Sequence, residues 1–204
     1  MKRTILIVLL SVLLTSCQNA NAYKDNYYLI NGKQHLFKIY TPTGWINDMQ
    51  AAKNYGLVNI FYPDVIITGP ADDAYWVSIY ANGIDYRINN VNYDTFTQRD
   101  INHYKQSGKE VKIGNESYRI SNNANITGYI SYSISGLKGT YKEDVVYINT
   151  KTTCVKIVYS SGCEKAYKEY RKDFERFVND FEFLSSNAAE IKKILEEDRK
   201  LRNY

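Results

Sequence analysis

Between Gly128 and Ser160 three strand-like runs follow one another: Gly128 to Ser135, Tyr141 to Asn149 and Thr153 to Ser160, with only a few residues between them. Turns that short join antiparallel neighbours, because a parallel pair needs a long crossover, so the segment predicts an antiparallel meander. In the first run Ile130, Tyr132 and Ile134 alternate with Tyr129, Ser131, Ser133 and Ser135, the period of a strand with one buried face. A buried face needs a cover, and the next segment supplies it. Ala166, Tyr167, Tyr170, Phe174, Phe177, Val178 and Phe181 fall on one helical stripe, and Ser161-Gly162-Cys163-Glu164 before them matches a capping box. Sheet and covering helix together give the α+β class.

Upstream, Tyr27 to Ile30 and Lys33 to Tyr40 flank Asn31-Gly32, a pair suited to the positive φ angles of a type I′ hairpin. A short helix is expected within Ile46 to Asn54, then a strand from Leu57 to Tyr62 that Pro63 stops. Tyr75 to Ala81 reads as a strand, with Asn82-Gly83 as a second turn into Ile84 to Ile88. Tyr93, Phe96, Thr97, Ile101 and Tyr104 recur at helical spacing, with Asn92 as N-cap and Gly108 past the end. Short strands are expected at Glu110 to Ile113 and Ser117 to Ile120. Asn187 with Glu190 opens a last helix whose apolar stripe is Ile191, Ile194, Leu195 and Leu201.

The N-terminus carries an address. Lys2 and Arg3 precede an apolar run from Ile5 to Leu14, and Leu14-Thr15-Ser16-Cys17 resembles a bacterial lipobox. Residues 1–16 are therefore expected to be a lipoprotein signal peptide, Cys17 the lipidated residue, and 17–26 a polar tether. An ordinary signal cleaved near Ala20 or Ala22 is the alternative. The apolar run is about half the ~20 residues that a membrane-spanning helix needs. Gln18, where an inner-membrane lipoprotein would tend to have aspartate, favours the outer membrane, facing the periplasm. Without Lys2 and Arg3 the chain has 24 basic residues against 22 acidic, too balanced for a nucleic-acid binder.

The order of elements, entered through a strand ending Tyr40-Thr41-Pro42-Thr43-Gly44-Trp45 and closed by an aromatic helix at Phe181-Glu182-Phe183, resembles the Mog1/PsbP-like fold. The resemblance spans 27–184 and leaves 185–204 as a C-terminal amphipathic helix. It implies an antiparallel sheet with helices on both faces, an α/β/α sandwich. It also implies a binding or assembly role without catalysis, in a group that includes many exported bacterial lipoproteins.

Residues that could carry chemistry are few. Asp100 and His103 lie three apart and could form half of a metal site, or a solvated surface pair. Asp64, Asp72 and Asp73 could offer oxygens to calcium, or simply line a solvated turn. No Gly-x-Ser-x-Gly, phosphate-cradling loop or zinc-ligand spacing occurs, so no catalytic residue, metal or cofactor is expected. Cys154 and Cys163 are too far apart along the predicted strand to form a disulfide. Cys163 then reads either as an activated thiol at a helix start or as a small buried residue.

Twenty tyrosines either serve an interface or stand in for Phe in half-buried strands. Val65, Ile66, Ile67, Tyr75 and Trp76 sit beside Pro63, Gly69 and Pro70, so they either await a partner or complete an edge strand. The expectation is a lipid-anchored, non-catalytic binding or assembly protein of the bacterial envelope, whose partners are the membrane and another envelope protein. A small inhibitor or immunity protein and a hydrolase with paired carboxylates are the alternatives.

Overall fold

A computed structural model describes residues 26–64, 75–120 and 125–202. The signal segment, Cys17, the triplet Val65, Ile66 and Ile67, and Asp72 and Asp73 lie outside the described residues. The meander forms as its spacing predicts: β7 (Ile126–Ser135), β8 (Lys142–Thr150) and β9 (Thr153–Ser161) pair antiparallel in sequence order. Around them a seven-stranded antiparallel sheet runs β3-β4-β5-β9-β8-β7-β6, with β3 at Trp45–Asn47, β4 at Phe61–Pro63, β5 at Val77–Asp85 and β6 at Glu110–Ile113. A second sheet, β1-β2-β10, joins Tyr27–Asn31, Leu36–Tyr40 and Glu182–Ser185.

The large sheet is covered on both faces, and β8 and β9 are accordingly buried along most of their length. On one face Val146, Ile148, Val155, Ile157 and Tyr159 pack against Phe174, Phe177 and Val178 of α4 (Glu164–Asn179) and against Ile30, Phe37, Ile39 and Phe183 of the small sheet. Trp45 and Phe174 belong to this core, at 5% and 0% exposure, and Phe174 does so as its place on the helical stripe predicts. On the other face Val145, Tyr147, Cys154 and Val158 meet Ile101 of α3 (Tyr93–Gln106). Asn92 caps α3 by accepting the Thr95 amide at 2.8 Å. The architecture is α+β, an antiparallel sheet with helices on both faces.

Several local readings give way to tertiary packing. The first hairpin has no type I′ turn, since neither Asn31 nor Gly32 takes a positive φ. Its loop is Gly32 to His35, closed by the Gly32 amide on the His35 carbonyl at 3.0 Å. Gly32 is small for another reason: a Cβ there would lie 2.2 Å from the His35 ring. Asn82-Gly83 is not a turn either, but lies inside β5 opposite Lys156 and Val155. A Cβ on Gly83 would come within 2.4 Å of the same ring.

The segment expected to be one helix from Ile46 splits into β3 and α1 (Met49–Asn54), because Asp48 caps α1 by accepting the Ala51 amide at 2.8 Å. The strand expected from Leu57 contracts to Phe61–Pro63, and the Asn59 side chain takes a strand neighbour's place by bonding both backbone groups of Ala81. Ile84 to Ile88 divides between the end of β5 and a one-turn helix, α2 (Tyr86–Asn89).

Ser117 to Ile120 forms no strand, and side chains satisfy it instead: the Tyr118 amide donates to Tyr129 Oη and the Arg119 amide to Asn179 Oδ1. The capping box also fails. Ser161 Oγ donates to the carbonyls of Trp76 and Cys163, which leaves Cys163 as N-cap without a side-chain bond. The last helix, α5 (Ala188–Arg202), begins at Asn187 as predicted, with Asn187 Oδ1 accepting the Glu190 amide at 3.1 Å. It packs against β10 and β1, where Ile191 is buried, Asp198 accepts from Tyr27 Oη and Arg202 bonds the Tyr27 carbonyl. Leu201 stays exposed.

Candidate functional site

Strand register builds the site. Ser160 of β9 lies directly opposite Ser78 of β5 on one side and Glu143 of β8 on the other, so the three side chains form a polar row on the face that α3 covers. Tyr104, near the end of α3, reaches that row with a long hydrogen bond of 3.4 Å to Glu143 Oε2. The helix then stops at Gly108, whose φ is +74°, and the rest of the row is left uncovered. The chain following α1 forms the opposite wall. Tyr55, Leu57 and Ile60, together with Trp76, Tyr80 and Thr140, enclose an open cavity of about 510 Å³ over Ser78, Ser160 and Glu143.

Glu143 and Asp144 are consecutive, point to opposite faces and are treated differently. Asp144 is 4% exposed and accepts from Ser133 Oγ at 2.7 Å, from Tyr167 Oη and from Arg171 Nε at 3.1 Å. A buried charge with a guanidinium and two hydroxyls is fully answered. Glu143 accepts from Ser160 Oγ at 2.6 Å and from Tyr104, both neutral donors. The neighbouring ammonium, Lys156 Nζ, is committed to Asp100 at 2.5 Å, and Asp100 also accepts from Tyr147 Oη. Burial pushes the Glu143 carboxyl above the usual range, against the pull of Ser160 and Lys156. Burial likewise raises the Tyr80 and Tyr104 hydroxyls.

Of the candidate site residues that are described, Trp76 lines this cavity and Tyr75 does not. Tyr75, one position earlier, turns to the other face, donates to Glu169 and lies beneath Lys165 at the start of α4. Asp100 turns to the sheet while His103 is exposed, and the described residues contain no cluster of three metal-ligating side chains. His35 is a structural clasp: its Nδ1 lies 2.7 Å from Asp85 Oδ1, and its ring stacks on Phe37. Both described cysteines are free, as expected. Burial pushes the Cys154 thiol up to about 12, which keeps it protonated. Among the described residues no helix is long and apolar enough to cross a membrane.

Glu143 and Ser160 were not singled out because nothing local marks them. The signal was a polar residue at a buried period, Ser160 after Val158 and Glu143 before Val145, and its meaning appears only when register sets the two side by side.

The fold and cavity define an α+β domain with an open, aromatic-walled pocket over a polar row. No protein-family model and no curated protein sequence matches the chain. Among solved structures it is similar to the solution structure of cyanobacterial PsbP (CyanoP) from Synechocystis sp. PCC 6803, with a TM-score of 0.43 and 13% identity over 78% of this chain and 92% of that one. It is also similar to the Ran-binding protein Mog1p of Saccharomyces cerevisiae, with a TM-score of 0.39 and 11% identity over 84% of this chain and 90% of that one.

Proposed function

We propose that the chain is a lipid-anchored, non-catalytic binding protein of the bacterial cell envelope, held at the outer membrane through Cys17 and binding through the cavity between Trp76 and Glu143. The observation that carries the binding role is the cavity itself: apolar walls from Leu57, Ile60 and Trp76 with a few convergent polar groups at its floor. Its described lining holds a single carboxylate, Glu143, whereas hydrolysis by paired carboxylates asks for two across one cavity. The anchoring half rests on Leu14-Thr15-Ser16-Cys17 and the charged, then apolar, segment before it. Acyl chains on Cys17 hold a protein at the bilayer through the ~0.8 kcal/mol that each buried methylene contributes.

Cys17→Ala tests the anchor. The variant is expected to move from the membrane fraction to the soluble envelope fraction. Persistence in the membrane pellet at high salt would show that something other than lipid holds the protein.

A further inference from the structure

We infer that the Trp76–Glu143 cavity binds an organic cation, an alkyl ammonium or guanidinium group, with the charge seated on Glu143 and the stem against the aromatic wall. The assignment deepens the binding reading above and rests on that cavity being the binding site. Three observations select a cation. Among the described residues, the hydrogen-bond donors to the carboxylate at the floor are the hydroxyls of Ser160 and Tyr104. The ammonium beside it, Lys156, is bonded to Asp100 at 2.5 Å, and among the described residues no ammonium or guanidinium pairs with Glu143. The walls present Trp76 and Tyr80, whose ring faces attract a desolvated cation, and Leu57 gives an alkyl stem an apolar surface. Asp144, on the opposite face, is the internal contrast: there the chain supplies its own guanidinium, Arg171, and the tyrosine hydroxyl of Tyr167 completes the site. At Glu143 the equivalent cation is left for a ligand to bring.

The same group could arrive as a free amine or as the Lys or Arg side chain of a polypeptide, and the two are separated by the probes. Full-length protein in an uncharged detergent is titrated with n-butylammonium, n-butylguanidinium, n-butanol and butyrate, and then with a short peptide carrying one central Lys and its norleucine counterpart. The readout is the indole N–H resonance of Trp76, which is distinguished from buried Trp45 by Trp76→Phe. The expected result is that the two cations shift this resonance with a Kd at least tenfold lower than butanol or butyrate, and that Glu143→Gln removes the preference. A tighter Kd for the Lys peptide than for butylammonium identifies a polypeptide source, and the reverse order identifies a free amine. Equal shifts with butanol, butyrate and the cations would overturn the cation assignment and leave the binding site standing. No shift of Trp76 with any probe would overturn both. The comparison among probes is made on the unaltered protein, so it holds even where a variant fails to fold.

Discussion

Glu143 and Asp144 lie side by side in the chain and differ in what their burial does to stability. Asp144 is held by Arg171 Nε, Ser133 and Tyr167, and Arg171 also bonds Glu116 and Tyr118. Removing the guanidinium leaves a buried carboxylate with two hydroxyls and only the more distant ammonium of Lys142, 3.8 Å away, so Arg171→Met is expected to lower unfolding stability by about 3–5 kcal/mol in urea titrations. A loss below ~1 kcal/mol would mean that the pair is solvated. Glu143 behaves in the opposite sense. Burial lifts its folded carboxyl above the ordinary glutamate value of 4.5, so the folded state holds its proton more tightly than the unfolded chain does. Whatever stability that proton contributes is complete below pH 4.5 and is lost as pH rises through the folded value. Glu143→Gln is therefore expected to raise the urea midpoint at pH 7.5 and to change it much less at pH 4. A lower midpoint at pH 7.5 would contradict the placement of the carboxylate. Neither role was legible beforehand, because the sequence shows two adjacent acids and only strand register decides that one meets Arg171 and the other an open cavity.

Helices were more legible than turns, and the reason lies in how each is specified. The stripe from Ala166 to Phe181 and the cap at Asn92 are local patterns, and α4 and α3 appear where those patterns put them. Both Asn-Gly pairs were misread because the glycines make room for one ring, that of His35, which lies three positions from Gly32 but on a different strand pair from Gly83. Gly32 and Gly83 both close on the His35 ring, and Asp85, which bonds His35, also accepts from Thr153 Oγ1 and the Gln34 amide. The clasp thus ties the first hairpin to β5 and β9. Gly83→Ala is expected to cost about 1–3 kcal/mol by overpacking. In a His35→Ala background most of that cost should disappear, since the clashing ring is gone, and a double-mutant cycle reads the coupling. An unchanged cost in that background would assign Gly83 to β5 alone. The fate of Ser161 has the same origin: the hydroxyl that looked like a cap bonds the Trp76 carbonyl, a partner 85 positions away.

Across the whole molecule the two faces of the large sheet carry different loads. One is sealed by α4 and the three-stranded sheet, and its buried carboxylate, Asp144, is paired from within the chain by Arg171. The other is only partly covered by α3, and the uncovered end holds Ser78, Ser160 and Glu143 beneath an aromatic wall. The α+β class and both helical covers were legible because amphipathic patterns require covered faces. The cavity was not, because it lies where a helix stops short of the sheet and four segments distant in sequence line it together. The central claim is that this end of the sheet is where the protein binds. Photocrosslinking in intact cells from a probe placed at Thr140, on the cavity lining, tests it most directly, read as added mass on the recovered protein and compared with a probe at exposed Lys192 on α5. The account predicts a discrete added mass from Thr140 that is absent from Lys192 and diminished by Glu143→Gln. No added mass from Thr140, or the same products from both positions, would contradict it.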